Sequence, residues 1–558
     1  MLFFRLHLFA LFCATMPTFS AAQRPLPATA PFAAPPKLVV GIVVDQMRYD
    51  YLYRYMQEYG TGGFRRLLAG GFSCENTHYN YAPTYTGPGH ASIYTGTTPS
   101  VHGVIANEWY DPEWQDHRYV TADKRYQSVG TTAGKSGQHS PQVLLSTTIT
   151  DELKLFTNFE SKVAGVCLKE RGSILPAGHL ADACYWFDDA SGQWITSTYY
   201  PDSTGLPEWV NKLNARRLPD RYMSAPWTPS GKMVHSFGRW DQYKSAAYGP
   251  FSGKFPHDLP ALRKNGYGAL RFTPFGNTLT LDMALATIEG MQLGADSVTD
   301  FLCLSFSSTD YITHQFGIHS EETEDTYRRL DADIERLLTA LDEKVGTKNV
   351  LVFLTADHGG AETPRHLADL RISAGVFEES KLEQILEKTI ETELALSGNF
   401  IEEISNQQIW LNWHALDDLE IDPNRIAEVI IQHLQTLNGV NDAFSREELM
   451  AFPAEYPFAS AYRNGIHPRR SGDILFTLDP GWHSDDLLFG KGGTTHGSPY
   501  AYDTHVPLIW YGYRVAPGAT YSAVNITDIA PTLAALLRII EPSGTTGKII
   551  EPLMLHTK

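Results

Sequence analysis

Side chains of the kinds that bind metal ions or attack phosphorus recur along this chain. They are Asp45, Thr86, Asp310, His314, Asp357, His358 and His496. Three carboxylates and three imidazoles are ligands that zinc prefers, and six are enough for two ions. A hydroxyl group held between two such ions would be activated for attack on phosphorus. The set therefore predicts the hydrolysis of phosphate esters with two zinc ions per chain.

One metal site is predicted from helical spacing. Asp310 and His314 lie four residues apart in Asp-Tyr-Ile-Thr-His. On one helical turn, residues at this spacing share a face. His496, within Gly-Gly-Thr-Thr-His-Gly, would complete a three-ligand site with an open position.

The second predicted site comprises Asp45, Asp357 and His358. Adjacent residues on a regular strand point to opposite faces, so Asp357 and His358 could not both bind one ion from a strand. The pair Gly359-Gly360 follows directly and allows the chain to turn there. Joint ligation is therefore possible.

Thr86 is the candidate nucleophile, at the head of Thr-Gly-Pro-Gly-His. Proline is favoured in a first helical turn, so this stretch predicts the start of a helix. Free amides and the helix dipole at such a position suit an anionic phosphoryl group. Taken alone, Thr86 is also explained as a plain helix N-cap, and one residue can serve both roles.

The elements that must position these residues alternate between strands and helices. Continuous apolar runs predict strands buried on both faces at Leu38–Val44, 163–168, 301–306, 350–354 and 506–511. Intervening helices are predicted at 279–293, Glu321–Lys344 (with Ser320 as N-cap) and 528–537. The alternation predicts an α/β fold with a doubly wound, mostly parallel central sheet flanked by helices. In such sheets ligands bind beyond the carboxyl ends of the strands, where Asp45, Asp310 and the pair Asp357-His358 fall.

The chain of 558 residues is too long for one small core. Residues 1–22 read as a signal peptide, 23–36 as an extended leader and 37–558 as one catalytic domain. Two insertions, at about 110–275 and 365–490, would cover the top of the sheet and shape substrate choice. No later window of about 20 residues is continuously apolar, so no transmembrane segment is predicted. We expect an exported protein, periplasmic or secreted.

The net charge of −18 argues against nucleic acid and anionic membranes as partners. Phosphate esters are themselves anions, so the site must supply local positive charge. Two zinc ions with Lys169 and Arg171 would supply it. The expected partners are small-molecule phosphate monoesters, bound by a monomer.

Four cysteines lie beyond the signal segment: Cys74, Cys167, Cys184 and Cys303. An oxidising compartment permits disulfides, and four cysteines allow three pairings. Cys303 falls in an apolar run and is predicted to be a buried thiol. Cys167 with Cys184 is the pairing to test first.

Several motifs together resemble those of the alkaline phosphatase superfamily, most closely its PafA-type monofunctional alkaline phosphatases. The motifs are Thr-Gly-Pro-Gly-His at 86–90, Lys-x-Arg at 169–171, Asp-x-x-x-His at 310–314, Ala-Asp-His-Gly-Gly at 356–360 and Thr-His-Gly at 495–497. The resemblance covers essentially the whole mature chain. It implies one zinc on Asp310, His314 and His496, and a second on Asp45, Asp357 and His358. It also implies that Thr86 becomes phosphorylated.

The same resemblance implies a phosphoryl clamp. Asn107 would bond one phosphoryl oxygen, and Lys169 with Arg171 would hold the others. A monoester dianion presents two oxygens that arginine can grip bidentately while lysine adds a point charge. A diester carries a second carbon group where that charge would fall, so the Lys-x-Arg pair favours monoesters.

Other interpretations of the same residues stay open. Asn107 alone fits a turn, and Lys169 and Arg171 could be a solvated edge, since strand alternation would place both on one face. A phosphodiesterase would share the metal ligands and Thr86. A sulfatase would need a Cys-x-Pro-x-Arg sequence, which is absent, and a phosphoglycerate mutase normally uses serine in the cytosol. A metal-stabilised protein that captures phosphate esters without turnover is the non-enzymatic alternative.

Overall fold

The computed structural model describes residues 34–132, 134–201, 204–235, 240–245, 248–453, 455–485 and 492–555. The predicted signal peptide (1–22) and residues 23–33 of the predicted leader lie outside these ranges. From Pro36 onward the chain forms one compact unit. Within the described ranges, no helix is both long enough and apolar enough to cross a membrane.

The strands are numbered in chain order. They are β1 Leu38–Val44, β2 Phe72–Cys74, β3 Thr77–His78, β4 Glu108–Asp111, β5 Asp116–Tyr119, β6 Ser128–Val129, β7 Val163–Cys167, β8 Ala183–Asp188, β9 Gln193–Ser197, β10 Asp300–Phe306, β11 Val350–Thr355, β12 Gly375–Phe377, β13 Ile401–Ser405, β14 Gln408–Leu411, β15 Val440–Ser445, β16 Ile474–Leu478, β17 Trp482–Ser484, β18 Leu508–Gly512, β19 Gly518–Thr520 and β20 Val524–Asn525.

The α-helices are numbered in the same way. They are α1 Tyr51–Arg54, α2 Phe64–Gly70, α3 Thr86–Thr95, α4 Pro99–His102, α5 Ile149–Phe156, α6 Glu170–Ala177, α7 Glu208–Ala215, α8 Leu218–Tyr222, α9 Leu259–Leu262, α10 Pro274–Gly290, α11 Ser308–Phe316, α12 Glu321–Lys344, α13 Pro364–Asp369, α14 Leu382–Leu394, α15 Trp413–Asp418, α16 Pro423–Leu434, α17 Arg446–Ala451, α18 Ala459–Gly465, α19 Ala501–Thr504, α20 Ile529–Leu537 and α21 Glu551–Leu555.

A mixed central sheet confirms the predicted fold class. Its order within the described residues is β19-β2-β18-β11-β1-β10-β7-β8-β9-β6. Strand β1 pairs in parallel with β10 and β11, and β7 pairs in parallel with β10 and β8. Strand β18, in the predicted 506–511 run, instead pairs antiparallel with β11, a common arrangement on one side of a mostly parallel sheet.

The predicted helices flank this sheet with small shifts of their ends. Helix α12 spans the predicted residues, and the Ser320 side chain accepts the Thr323 N–H as its cap. One face of α12 is buried through residues three and four apart, among them Leu330, Ile334 and Leu341. That spacing is the reason an amphipathic sequence forms a helix against a sheet. Helix α12 packs against α10.

The predicted insertion at 110–275 is partly a component of the central sheet. It contains β7, β8 and β9, which extend the sheet beyond β10. Strand β7 is the apolar run Val-Ala-Gly-Val-Cys, buried throughout, so it continues the parallel sheet. The same segment also forms the hairpin of β4 and β5. Some residues of both predicted insertions lie outside the described ranges.

Residues 375–453 and 455–485, called the cap here, form a second antiparallel sheet with order β13-β14-β16-β15. Helices α14 and α16 pack against each other and against strands of this sheet. The cap has its own hydrophobic core, which includes Leu386, Ile409, Ile430 and Phe476.

The pairing to test first, Cys167 with Cys184, is not formed, because all four described cysteines are free thiols, each of them buried. In the parallel register of β7 and β8, Cys184 lies opposite Gly165 rather than Cys167. Cys167 Sγ instead lies 3.0 Å from Ser307 Oγ. The expectation that Cys303 is a buried thiol is confirmed.

Candidate active site

Three neighbouring parallel strands end at the same edge and position most of the predicted ligands. Asp45 directly follows β1, and its N–H donates to Phe306 O, at the end of β10, at 3.0 Å. The Gln46 N–H donates to Asp357 Oδ1 at 3.1 Å, which joins the end of β1 to the loop after β11. The carboxyl ends of the strands therefore bring these residues together, as the sequence predicts.

The first cluster comprises Asp310, His314 and His496, whose ligand atoms all lie within 4.8 Å of one another. Helix α11 places Asp310 and His314 one turn apart, with 3.1 Å between Asp310 Oδ1 and His314 Nε2. The same oxygen lies 3.8 Å from His496 Nε2. The helical spacing inferred from sequence is thus the spacing in the fold.

The second cluster comprises Asp45, Asp310 and His358, whose ligand atoms also lie within 4.8 Å of one another. His358 Nε2 lies 3.5 Å from Asp45 Oδ1 and 3.6 Å from Asp357 Oδ2. Asp357 therefore adjoins the cluster to which the sequence assigned it. Neither Asp357 nor His358 is part of a strand, because β11 ends at Thr355. Asp310 was predicted for one site only, but it lies between the two.

The three imidazoles are oriented by hydrogen bonds from their Nδ1 atoms to backbone carbonyls. These bonds join His314 to Thr494 O at 2.7 Å, His358 to Gly359 O at 2.8 Å and His496 to Thr84 O at 2.7 Å. Because a carbonyl only accepts, each Nδ1 carries the hydrogen and each Nε2 keeps its lone pair for a metal. Burial lowers the pKa of His358 to about 3 and that of His496 well below its usual value, so both rings are neutral.

The carboxylates are crowded and buried. Burial, and then the charge of Asp310, raises the pKa of Asp45, while burial and then Asp45 raise that of Asp357 well above its usual value. Burial acts in the same direction on Asp310, but Lys169, His314 and His496 together outweigh it, and the pKa of Asp310 is lowered well below its usual range.

Several ligand atoms in this cluster lack hydrogen-bond partners among the described residues. They are Asp45 Oδ1, Asp310 Oδ1, Asp357 Oδ2 and His358 Nε2. Buried polar atoms normally have a hydrogen-bond partner, so a group of neighbouring acceptors without one is suited to binding a cation. The oxygen and nitrogen donors, without thiolates, suit zinc or another divalent transition metal.

Thr86 is the first residue of α3 and only 1% exposed. The N-cap position belongs to Tyr85, and no side chain caps the helix, so the Thr86 hydroxyl does not serve as a cap. Gly89 allows the helix to lie against Asp357, because a Cβ at residue 89 would approach Asp357 O to 2.3 Å. The glycines of the motif thus bring the helix N-terminus close to the ligand cluster.

Asn107 lies directly before β4, beside the start of α3. Its Oδ1 accepts the Gly87 N–H at 2.7 Å. With the oxygen used in this way, the Nδ2 atom is the group left to donate. Asn107 is therefore fixed against the residue after Thr86 rather than being only a turn residue.

Lys169 is 1% exposed and donates to Asp45 Oδ2 and to Asp310 Oδ2, each at 2.6 Å. Its ammonium thus lies among the predicted metal ligands. Strand alternation does not place it beside Arg171, because β7 ends at Cys167 and Lys169 is the N-cap residue of α6. Arg171 belongs to the first turn of that helix.

Arg171 reaches the site from α6 with its side chain 16% exposed. Its Nη1 donates to Tyr119 Oη at 2.8 Å and lies 3.8 Å from Glu170 Oε1. Sequence reasoning missed Tyr119 and Glu170 as neighbours of the clamp. A carboxylate between two cations was visible in Lys-Glu-Arg, whereas nothing local marks Tyr119.

His90 is a further supporting residue. Its Nδ1 lies 2.9 Å from Thr86 O and 3.4 Å from Asp357 Oδ2, and its Nε2 lies 2.8 Å from Ser305 Oγ. The ring is fully buried and bridges α3 to the ligand loop. Its place in Thr-Gly-Pro-Gly-His was the available signal in the sequence.

Comparison with known proteins gives a consistent result. Residues 39–498 match the family described as type I phosphodiesterase / nucleotide pyrophosphatase. Alkaline phosphatase PafA of Elizabethkingia meningoseptica is 42% identical over 92% of this chain and 94% of its own length. A Myroides odoratus protein named "Calcium-transporting ATPase" is 43% identical, with the same two coverages.

The crystal structure of PafA matches with a TM-score of 0.87 at 41% identity, over 93% of this chain and 99% of that one. The alkaline phosphatase resemblance and the fold predicted from sequence are thereby confirmed. The chain is an enzyme that belongs to the type I phosphodiesterase / nucleotide pyrophosphatase family and, within it, to the PafA-type alkaline phosphatases.

Proposed function

We propose that this protein is a zinc-dependent phosphate monoester hydrolase that works through a phosphothreonine at Thr86 and releases inorganic phosphate. The observation that carries the proposal is the convergence of two buried ligand clusters, which share Asp310, beside the helix that Thr86 begins.

The ligand sets proposed are Asp310, His314 and His496 for one zinc and Asp45, Asp357 and His358 for the other. When bound, the two ions would lower the pKa of the Thr86 hydroxyl and offset negative charge on the leaving oxygen. The unpaired oxygens and the oriented Nε2 atoms support this assignment. Manganese or iron would accept some of the same donors.

The chain's own residues would bind and orient the phosphoryl group. The N-terminus of α3 offers amides and a favourable dipole, and Asn107 offers its Nδ2 donor. Arg171 adds a guanidinium, which can grip two phosphoryl oxygens at once. In this structure the ammonium of Lys169 contacts the carboxylates of Asp45 and Asp310. We propose that it contacts a phosphoryl oxygen when metal ions are bound to those carboxylates.

A second solved structure supports the choice of residues. It is a variant of PafA, 40% identical to this chain, with substitutions at a threonine, an asparagine, a lysine and an arginine. Those four residue types recur here at the same spacing as Thr86, Asn107, Lys169 and Arg171.

The remaining expectations also enter as proposals. We propose that residues 1–22 direct export, so that the enzyme acts in the periplasm or outside the cell, as a monomer. Residues 37–558 would form the catalytic domain, with the cap helping to select substrates.

A phosphodiesterase is the second candidate, favoured by the description of the matching family. It would use the same ligands and Thr86. The paired cations Lys169 and Arg171 favour the monoesterase, because a diester has no dianionic group to offer them.

Steady-state hydrolysis of p-nitrophenyl phosphate, bis-p-nitrophenyl phosphate and p-nitrophenyl sulfate by the purified mature enzyme tests the proposal. We expect monoester turnover to exceed the other two by orders of magnitude, to disappear on chelation and to return with zinc. Preference for the diester would move the assignment to a phosphodiesterase. Binding without turnover of any substrate in zinc-loaded protein would indicate a phosphate-ester binding protein.

A further inference from the structure

Tyr119 holds a bridging position at the edge of the candidate active site. Its hydroxyl accepts the Arg171 Nη1 hydrogen bond at 2.8 Å and donates to Glu170 Oε1. Glu170 and Arg171 are adjacent on α6, yet Oε1 and Nη1 are 3.8 Å apart. The tyrosine hydroxyl therefore links the two charged groups, which do not form a close direct pair.

The bridge requires a protonated phenol, since the hydroxyl must both donate and accept. Burial raises the pKa of Tyr119 above its ordinary value, although the nearby Arg171 acts in the opposite direction. Burial tends to raise the pKa of Glu170, but His139 and Arg171 reverse this, and the pKa falls to about 2. Around neutral pH the phenol thus stays protonated and the carboxylate stays charged.

Arg171 keeps donors available in this arrangement. Tyr119 uses only Nη1, and the buried Nε has no hydrogen-bond partner among the described residues. A guanidinium has five N–H donors in a planar fork, so fixing one edge orients the others. A direct bidentate ion pair with Glu170 would instead occupy two of the guanidinium N–H donors of Arg171.

The same hairpin positions Asn107. The Val120 N–H donates to Asn107 O at 2.9 Å, and Tyr119 pairs with Glu108 across β4 and β5. Trp109 and Val120 of this hairpin pack in a small separate core with Tyr85, the residue before Thr86. One element therefore presents both the asparagine and the tyrosine that contacts the arginine.

We propose that Tyr119 is a positioning residue that orients the Arg171 guanidinium toward the phosphoryl group and so contributes to selection of monoesters over diesters. This inference rests on the proposed function. Tyr119 would not touch the reacting atoms, and its whole effect would pass through Arg171.

A double-mutant cycle on the zinc-loaded enzyme tests this. Tyr119→Phe removes only the hydroxyl and therefore its hydrogen bond to Arg171. We expect this variant to lower monoester kcat/KM by about tenfold to hundredfold, which is the size of effect of a hydrogen bond to a charged group. We expect diester kcat/KM to change by less than about threefold. In the Arg171→Ala background, Tyr119→Phe should have a further effect of less than about threefold, because coupled residues are not additive.

Tyr110→Phe is the matched control. Tyr110 lies on the same hairpin and donates to Glu402 of the cap at 3.1 Å, without reaching Arg171. We expect it to keep the ratio of monoester to diester turnover. Bound zinc and circular dichroism should be the same in all variants.

Equal losses on both substrates, or the same loss with and without Arg171, would overturn the role of Tyr119 alone. A wild-type enzyme that turns over diesters but not monoesters would overturn the proposed function first, and this inference with it. The two failures are therefore distinguishable.

Discussion

The proposed metal ligands and the proposed phosphoryl clamp are held by different parts of the molecule. Most of these ligands follow β1, β10 and β11, three adjacent parallel strands that are buried in the large core. Asp45 and Asp357-His358 lie in loops, whereas Asp310 and His314 lie on α11. The clamp residues Asn107 and Arg171 come from the β4–β5 hairpin region and from α6. The hairpin packs in a separate, smaller core.

This difference suggests that reaction and selection are separable. The backbone of a central parallel strand is hydrogen-bonded on both sides, so the ligands at its end have little freedom to move. A hairpin on a satellite core can change its contacts without disturbing the sheet. Helix α6 is the exception, since it packs against β7, β8 and β10, and its N-cap residue Lys169 contacts Asp45 and Asp310.

Thr86→Ala should have the largest effect. Removing the proposed nucleophile should lower monoester kcat/KM by more than about a thousandfold, with zinc content unchanged. Thr86→Ser should retain part of the activity because it restores a hydroxyl. Substantial turnover by the alanine variant, measured with p-nitrophenyl phosphate, would show that the phosphothreonine proposal is wrong.

Asp310→Asn should distinguish the shared ligand from the unshared ones. Asp310 is proposed as a ligand of the first zinc, but it also lies in the second cluster with Asp45 and His358, so its loss should weaken the binding of both zinc ions. His314→Ala should weaken the binding of one. We expect at least about a hundredfold weaker zinc affinity. The measurement is zinc per chain after dialysis against a weak chelator. Loss of a single ion from Asp310→Asn would assign that residue to one site.

Lys169→Ala combined with Arg171→Ala should separate the two regions. We expect monoester turnover to fall by about a hundredfold or more, since charge-assisted contacts to phosphate are lost, and diester turnover to fall far less. The readout is the ratio of kcat/KM for the two p-nitrophenyl esters. A similar fall for both substrates would contradict the clamp assignment.

Acid should lower the free energy of unfolding through His102, whose Nδ1 accepts the N–H of Val104 in the smaller core at 3.1 Å. This buried histidine pairs with Ser92 Oγ at 2.9 Å, and burial lowers its pKa from 6.5 to about 3. Below pH 6.5 the imidazole of His102 therefore binds a proton in the unfolded chain but stays neutral in the folded chain. The free energy of unfolding falls as the pH drops below 6.5.

The measurement is denaturant unfolding at pH 7 and pH 5 with His102→Gln as the control. Between pH 7 and pH 5 the free energy of unfolding of the wild type should fall by about 2 kcal/mol more than that of the variant. The same pH dependence in both proteins would exclude His102 as the cause.

Local patterns predicted much of the fold because each depends on a few neighbouring residues. The apolar run before Asp45 predicted β1, and Ser320 as N-cap predicted the start of α12. The i, i+4 spacing of Asp310 and His314 predicted their shared face. The positions of functional residues can be predicted in this way when they directly follow a strand or lie on one helical turn.

Pairing between distant segments could not be predicted in the same way. Cys167 and Cys184 looked suitable for a disulfide, but the register of β7 and β8 places Cys184 opposite Gly165. The strand interpretation of Lys169 and Arg171 failed because the chain begins a helix at Glu170. Register and helix start depend on contacts that the local sequence does not contain.

The sequence by itself determined which groups this protein has for chemistry: three carboxylates, three imidazoles, a threonine at a helix start and two cations. Only the tertiary structure decided that Asp310 lies between both clusters and that Tyr119 bridges Glu170 to Arg171. Residue type and spacing record what a side chain can do. Which side chains meet is decided when distant strands and helices pack, because that packing sets every distance between them.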